Sequence, residues 1–164
     1  MKFHVGELRR SQAIHTFGIG SAVDLPHLTA VTMGLEEWSQ PDWDPTNVAN
    51  AISEERLLAI VLSFPGCRGV NQLTAPPTVK DDDDGNAVPT GIPIETFPRW
   101  ARCPRCELLA PLNFGVFRLV ASPFKPGETQ YIHVNCPKAF NKSPTVNPVR
   151  FVFACKNGHL DDFP

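Results

Sequence analysis

The sequence has no apolar run near the roughly 20 residues a membrane-crossing helix needs. Its first residues, Met1-Lys2-Phe3-His4-Val5-Gly6-Glu7, lack the hydrophobic core of a secretion signal. The chain therefore reads as cytoplasmic, without a membrane partner. It also lacks an even set of cysteines. Five thiols cannot all pair, and in a reducing compartment that favours metal ligands plus a spare thiol over a disulfide framework. A phosphate-cradling loop is missing too. Phe17-Gly18-Ile19-Gly20-Ser21 carries two glycines, but neither a third one nor the Gly-Lys-Ser/Thr of a P-loop, so it reads as a tight structural turn. Calcium-loop alternation is likewise absent. Asp81-Asp82-Asp83-Asp84 is contiguous, and Ile92 stands where an EF-hand carries its closing glutamate. Residues 81–84 are read as a flexible acidic loop.

What is present favours short elements. In 164 residues there are 17 prolines and 11 glycines, with 42% hydrophobic residues, enough apolar material for a core but punctuated too often for long helices. The expected class is α+β: mostly short strands and loops with one helix, plus a zinc-ribbon-like β unit. Residues 1–96 form an N-terminal α+β region containing the acidic loop, and residues 97–164 form the ribbon-like module. Leu28–Met33 alternates as a strand ending at Gly34, and residues 46–62 carry the helix. Asn50 or Ser53 would cap that helix, and Leu57, Leu58, Val61 and Leu62 supply an apolar stripe. Residues 71–93 read as loop, and Trp43, between two aspartates, as a surface anchor or partner contact. Charge divides along the same line. Residues 1–98 hold six Lys/Arg against thirteen Asp/Glu, while residues 99–164 hold nine against four. A basic second half allows an anionic partner.

Cys103-Pro104-Arg105-Cys106 carries the chemistry. Two cysteines with two residues between them point both sulfurs at one tetrahedral ion. A single knuckle cannot close a site, so two more ligands must come from downstream, where Cys136, Cys155 and His159 stand, with His133 a weaker option. Asn113–Val120, Gln130–Val134 and Val149–Cys155 read as the short strands that would bring them together. Three or four thiolates with one imidazole make a soft set, for which Zn2+ fits best. The chosen set is Cys103, Cys106, Cys136 and Cys155, with His159 as the alternative fourth ligand. Cys67, beside Arg68, is taken as the spare structural thiol. His159-Leu160-Asp161-Asp162 also permits a catalytic reading, but no third carboxylate accompanies it for a metal-dependent nuclease.

Three stretches together resemble a known family: Arg10–Leu25 with its Phe17-Gly18-Ile19-Gly20-Ser21 segment; Phe97-Pro98-Arg99-Trp100 leading into Cys103 and Cys106; and Arg150–Cys155 running to Gly158-His159-Leu160-Asp161-Asp162-Phe163-Pro164. The pattern is similar to the N-terminal part of DrmB, the helicase-associated subunit of the DISARM antiphage defence system. The sequence departs from that family at Ala139, where a second CxxC would place a cysteine. The resemblance implies a fragment of a longer bacterial chain, a heteromeric complex with the helicase-like subunit DrmA, and no catalytic residue in this chain. It implies zinc held by Cys103, Cys106, Cys136 and Cys155. Any DNA contact would use Arg99, Arg102, Arg105, Arg118, Lys138 and Lys142, acting on phosphates. The competing class is a small metal- or nucleotide-dependent enzyme acting on nucleic acid through the Gly18/Gly20 loop or the His159/Asp161 cluster.

Overall fold

The computed structural model describes residues 4–38, 44–77, 91–121 and 126–163. Trp43 and the acidic loop 81–84 lie outside these residues. The architecture is α+β, mostly strands with one main helix.

The first layer is an antiparallel four-stranded sheet in the order β1-β4-β3-β2, made from β1 (His4–Leu8), β2 (Ala22–Leu25), β3 (Leu28–Thr32) and β4 (Ile92–Thr96). β2 and β3 form a tight hairpin, in which Leu25 pairs with Leu28 across Pro26-His27 and Thr29 Oγ1 donates to Asp24 Oδ1 at 3.0 Å. β3 alternates cleanly, with Leu28, Ala30 and Thr32 buried. That is the period-2 pattern of a strand with one face on the core. Each well-buried aliphatic here, such as Val5, Leu8, Ile92 or Ile94, contributes about 1.5–3 kcal/mol by leaving water.

Two of these strands correct the sequence reading. β4 occupies the end of the segment read as loop, and it sits between β1 and β3. Pro93 disguised it, because a proline inside a run argues against a central strand. Pro93 is tolerated because its carbonyl still accepts from Met33 N at 2.9 Å. β1 and the short helix α1 (Arg10–His15) are further elements beyond the sequence reading, and the start of α1 is closed by Arg9 N donating to Gln12 Oε1 at 3.0 Å.

The main helix, α2 (Glu55–Ser63), is shorter than the expected 46–62. A separate 3-10 turn covers Val48–Asn50, with Asn47 as its cap. Glu54 caps α2 instead of Asn50 or Ser53, accepting from Arg56 N at 3.2 Å. No residue of α2 is fully buried. Leu58 and Val61 are half-buried, while Leu57 and Ile60 face out.

Beyond Thr96 the elements become small. β5 (Trp100–Arg102) lies between β6 (Leu109–Pro111) and β9 (Asn147–Pro148); β7 (Phe117–Val120) pairs with β8 (Gln130–His133); β10 (Val152–Ala154) pairs with β11 (Leu160–Asp162). The expected strand Asn113–Val120 begins late, because Leu112–Phe114 is a 3-10 turn ended by Gly115 at φ 84°. The expected strand Val149–Cys155 contracts to β10, all of whose side chains are exposed. One buried cluster nevertheless joins both regions, from Val5, Ile92 and Ile94 through Ala101, Phe117 and Tyr131. Thr96 Oγ1 and Tyr131 Oη meet at 3.5 Å across that junction.

Candidate metal centre

Two loops build the site. The first is the β5–β6 turn, in which Arg102 pairs with Leu109 and the six residues between them reverse the chain. Cys103 N donates to Leu108 O at 2.9 Å, Glu107 N donates to Cys103 O at 3.0 Å, and Glu107 takes φ 67°. This curl exposes backbone N–H groups on its inner side, and those of Cys106 and Arg105 are directed at the Cys103 sulfur. The second loop leaves the end of β8. Asn135 adopts φ 60° just before Cys136, and Ala139 N closes the turn on Cys136 O at 3.0 Å. Both turns have their left-handed residue next to a cysteine, the backbone device that lets a short loop wrap around a point.

The loops bring Cys103, Cys106, His133 and Cys136 together, with one donor atom from each lying within 4.8 Å of the others. Cys103 Sγ and Cys136 Sγ are 3.8 Å apart, and Cys106 Sγ is 3.4 Å from His133 Nδ1. Tetrahedral coordination with metal–sulfur bonds of about 2.3 Å separates two sulfurs by about 3.8 Å, and a sulfur and a nitrogen by slightly less. The donor spacing is therefore compatible with a bound metal ion. Cys103, Cys136 and His133 are buried and Cys106 is half-buried.

Three of the four expected ligands meet here, and the fourth does not. Cys155 lies in the exposed β10–β11 turn with His159, and neither belongs to the cluster. The fourth place is taken by His133, the weaker option in the sequence. Downstream of Cys136 the position of a second CxxC holds Ala139. The matching element lies upstream, because His133-Val134-Asn135-Cys136 has the same two-residue spacer as Cys103-Pro104-Arg105-Cys106. Cross-strand pairing with Phe117 sets the imidazole in place, the two rings meeting edge to face at 5.4 Å and 88°.

The thiols differ. Burial raises the Cys103 thiol, but N–H groups of Cys106 and Arg105 and the side chains of His133 and Cys106 outweigh it, bringing it down to about 6. Cys136 moves up, first through burial and then through the neighbouring cysteine sulfurs, against one N–H from Lys138. The surroundings thus favour the thiolate at Cys103 and the thiol at Cys136, so that a metal bound here would displace the Cys136 proton.

The remaining candidates divide sharply. Arg99 is engaged by the C-terminal hairpin: its backbone N donates to Asp162 Oδ1 at 2.6 Å, Nε to Asp162 Oδ2 at 2.6 Å, and Nη2 to Asp161 Oδ1 at 3.0 Å. Arg102 pairs with Glu107 at 2.8 Å, and Arg105 stands 5.2 Å over the Phe140 ring. Arg118, Lys138 and Lys142 are exposed. In the glycine loop, Gly20 N donates to Thr32 O at 2.9 Å and Ser21 N to Gly18 O at 3.0 Å, the pattern of a structural turn. Cys67 is half-buried and outside the cluster. Among the described residues, no helix is long and apolar enough to cross a membrane.

Fold and site together define an α+β protein with a zinc-ribbon-like unit built on a Cys3His cluster. A family model described as "Domain of unknown function (DUF8724)" matches residues 9–164, and the chain belongs to that family. No curated protein matches it.

Proposed function

We propose that this chain is a non-catalytic, zinc-stapled subunit module of a cytoplasmic, DISARM-like antiphage defence complex, docking on a helicase-like partner of the DrmA kind and lying close to DNA. The observation that carries the reading is the closure of the metal site. Four protein donors, three of them buried, fill a tetrahedral shell and leave no position for a water or substrate, as in structural zinc sites. Three thiolates and one imidazole favour zinc over harder ions. The ion's task is then mechanical: it ties β5–β6 to β8, strands of only three or four residues that would be marginal by themselves.

The groups an enzyme would need are otherwise occupied. Asp161 and Asp162 hold Arg99, and the N–H groups at Gly20 and Ser21 bond within their own turn. This supports the scaffold over a nucleotide- or metal-dependent enzyme. A protein partner has an apolar face to meet. An open groove of 1360 Å³ between the β2–β3 hairpin and the β10–β11 hairpin is lined by Phe97, Trp100, Phe151 and Phe163 among others. The resemblance in the three sequence stretches supplies the kind of partner. With Arg99, Arg102 and Arg105 engaged within the chain, the DNA-proximal contacts fall to Arg118, Lys138 and Lys142.

The test is co-expression with a DrmA-type helicase subunit. A stable complex carrying zinc, with no nucleotide or nucleic-acid turnover by the isolated chain, supports the proposal. Turnover by the isolated chain that is lost in Asp161→Asn/Asp162→Asn would overturn it.

A further inference from the structure

One further cysteine–histidine pair lies outside the cluster. At the tip of the β10–β11 hairpin, Cys155 Sγ lies 3.4 Å from His159 Nδ1. This is the separation found between Cys106 Sγ and His133 Nδ1 inside the buried cluster, through the same ring nitrogen. The backbone enforces the approach. Cys155 N donates to His159 O at 3.0 Å, Gly158 N donates to Cys155 O at 3.0 Å, and Gly158 turns the chain at φ 86°. The two donors therefore leave a closed turn on the same side, with three residues between them, within the spacing of about two to four that zinc half-sites use.

Unlike the first four, of which three are buried and Cys106 half-buried, both residues are exposed, so an ion can reach them from solvent. The hairpin is also held to the body. Asp161 and Asp162 are occupied by Arg99, which anchors the strand after His159 and keeps those carboxylates from completing the pair.

We propose that Cys155 and His159 form a second, peripheral site for a soft divalent cation, with two protein ligands and two coordination positions open to water or to the same pair of a second copy. Thiolate and imidazole select zinc-class ions over magnesium or calcium. Two ligands instead of four make this a weaker site than the buried one.

The test is titration of the zinc-loaded chain with Co2+ under reducing conditions at neutral pH, following thiolate-to-cobalt charge-transfer absorption while mass spectrometry monitors the zinc already held. The expected result is one further equivalent of metal with a charge-transfer band, the zinc being retained. Its apparent affinity should fall at least about tenfold in Cys155→Ser and in His159→Ala. Both residues are at the surface, so both variants should fold. An increase in sedimentation coefficient accompanying the band also supports the assignment, the second copy's pair filling the open positions. Absence of the band, or a band that survives both substitutions, would reduce the pair to a thiol–imidazole hydrogen bond and overturn the proposal.

Discussion

Phe117 and His133 face each other across the β7–β8 pair, with ring centroids 5.4 Å apart and planes at 88°. A core aromatic thereby does two things, filling the interior and holding an imidazole edge-on toward three sulfurs. Phe117→Ala should cost about 3–5 kcal/mol of stability. It should also weaken metal binding by about 10–100-fold, the loss typical when a ligand's support is removed. Phe117→Leu separates the two effects, keeping most of the apolar volume while removing the ring. Denaturant unfolding and chelator competition on both variants would measure them. Unchanged metal affinity in Phe117→Ala would show that the histidine needs no such support.

The identity of the fourth ligand gives a direct comparison. His133→Ala should lose the tightly held ion, while His133→Cys should retain it in a four-thiolate shell. Cys155→Ala and His159→Ala should leave the tight equivalent in place. Metal content after exhaustive dialysis decides the matter, and loss of tight metal in Cys155→Ala would place the wrong residue in the site.

Acid should release the ion, and the sign follows from the two buried thiols. Cys103 is held at about 6, below the ordinary thiol value. In the metal-free chain it therefore contributes stability that is present above about 8.5 and lost as pH falls through about 6. Cys136 is raised, chiefly by burial, so its thiol form is favoured in the fold and a metal must displace its proton. Metal binding at neutral pH should therefore release protons, that of Cys136 among them, and affinity should fall about tenfold per pH unit for each proton displaced. Calorimetry in buffers of different ionisation enthalpy would count them. Zero proton release would contradict the assignment of Cys136 as a ligand.

Arg99 fastens the C-terminal hairpin, and the fastening should be local. Its side chain is 45% exposed, but that of Asp162 only 12%, so the pair is screened on one side and its worth is about 1 kcal/mol. Arg99→Ala should speed amide exchange over 152–162 while leaving β3 and β4 protected. Equal loosening of both regions would show that the hairpin is integral to the core.

Gly91, just before β4, is the most closely hemmed in of the described glycines. A Cβ there would meet Leu8 O at 2.6 Å and Glu7 Cβ at 2.9 Å, while Gly91 N donates to Glu7 Oε2 at 2.5 Å. The obstacle is backbone and cannot rotate away. Gly91→Ala should therefore destabilise by about 1–3 kcal/mol, measurable as a lowered denaturation midpoint with metal content unchanged.

Local chemistry was legible wherever it was carried by neighbouring residues. The Cys103/Cys106 knuckle, the strand at Leu28 and the scarcity of long helices follow from spacing, alternation and proline content, all short-range properties of the chain. Elements whose identity depends on distant partners were not. β4 contains Pro93 and becomes a central strand only because β1 and β3 flank it. β10 looks like the most apolar strand of the chain, yet it stays exposed because it pairs only with β11.

The sequence by itself marked Cys103 and Cys106 as a candidate metal-ligand pair, because two thiols at knuckle spacing can point at one position. Only the tertiary structure decided which side chain completes the shell. Read as letters, Cys155 is the stronger candidate and His133 the weaker. The β7–β8 pairing turns one imidazole inward beside Cys106, whereas the β10–β11 turn carries the other thiol into solvent. Coordination is a matter of distance in space, and here two residues 27 positions apart in the chain lie 3.4 Å from each other.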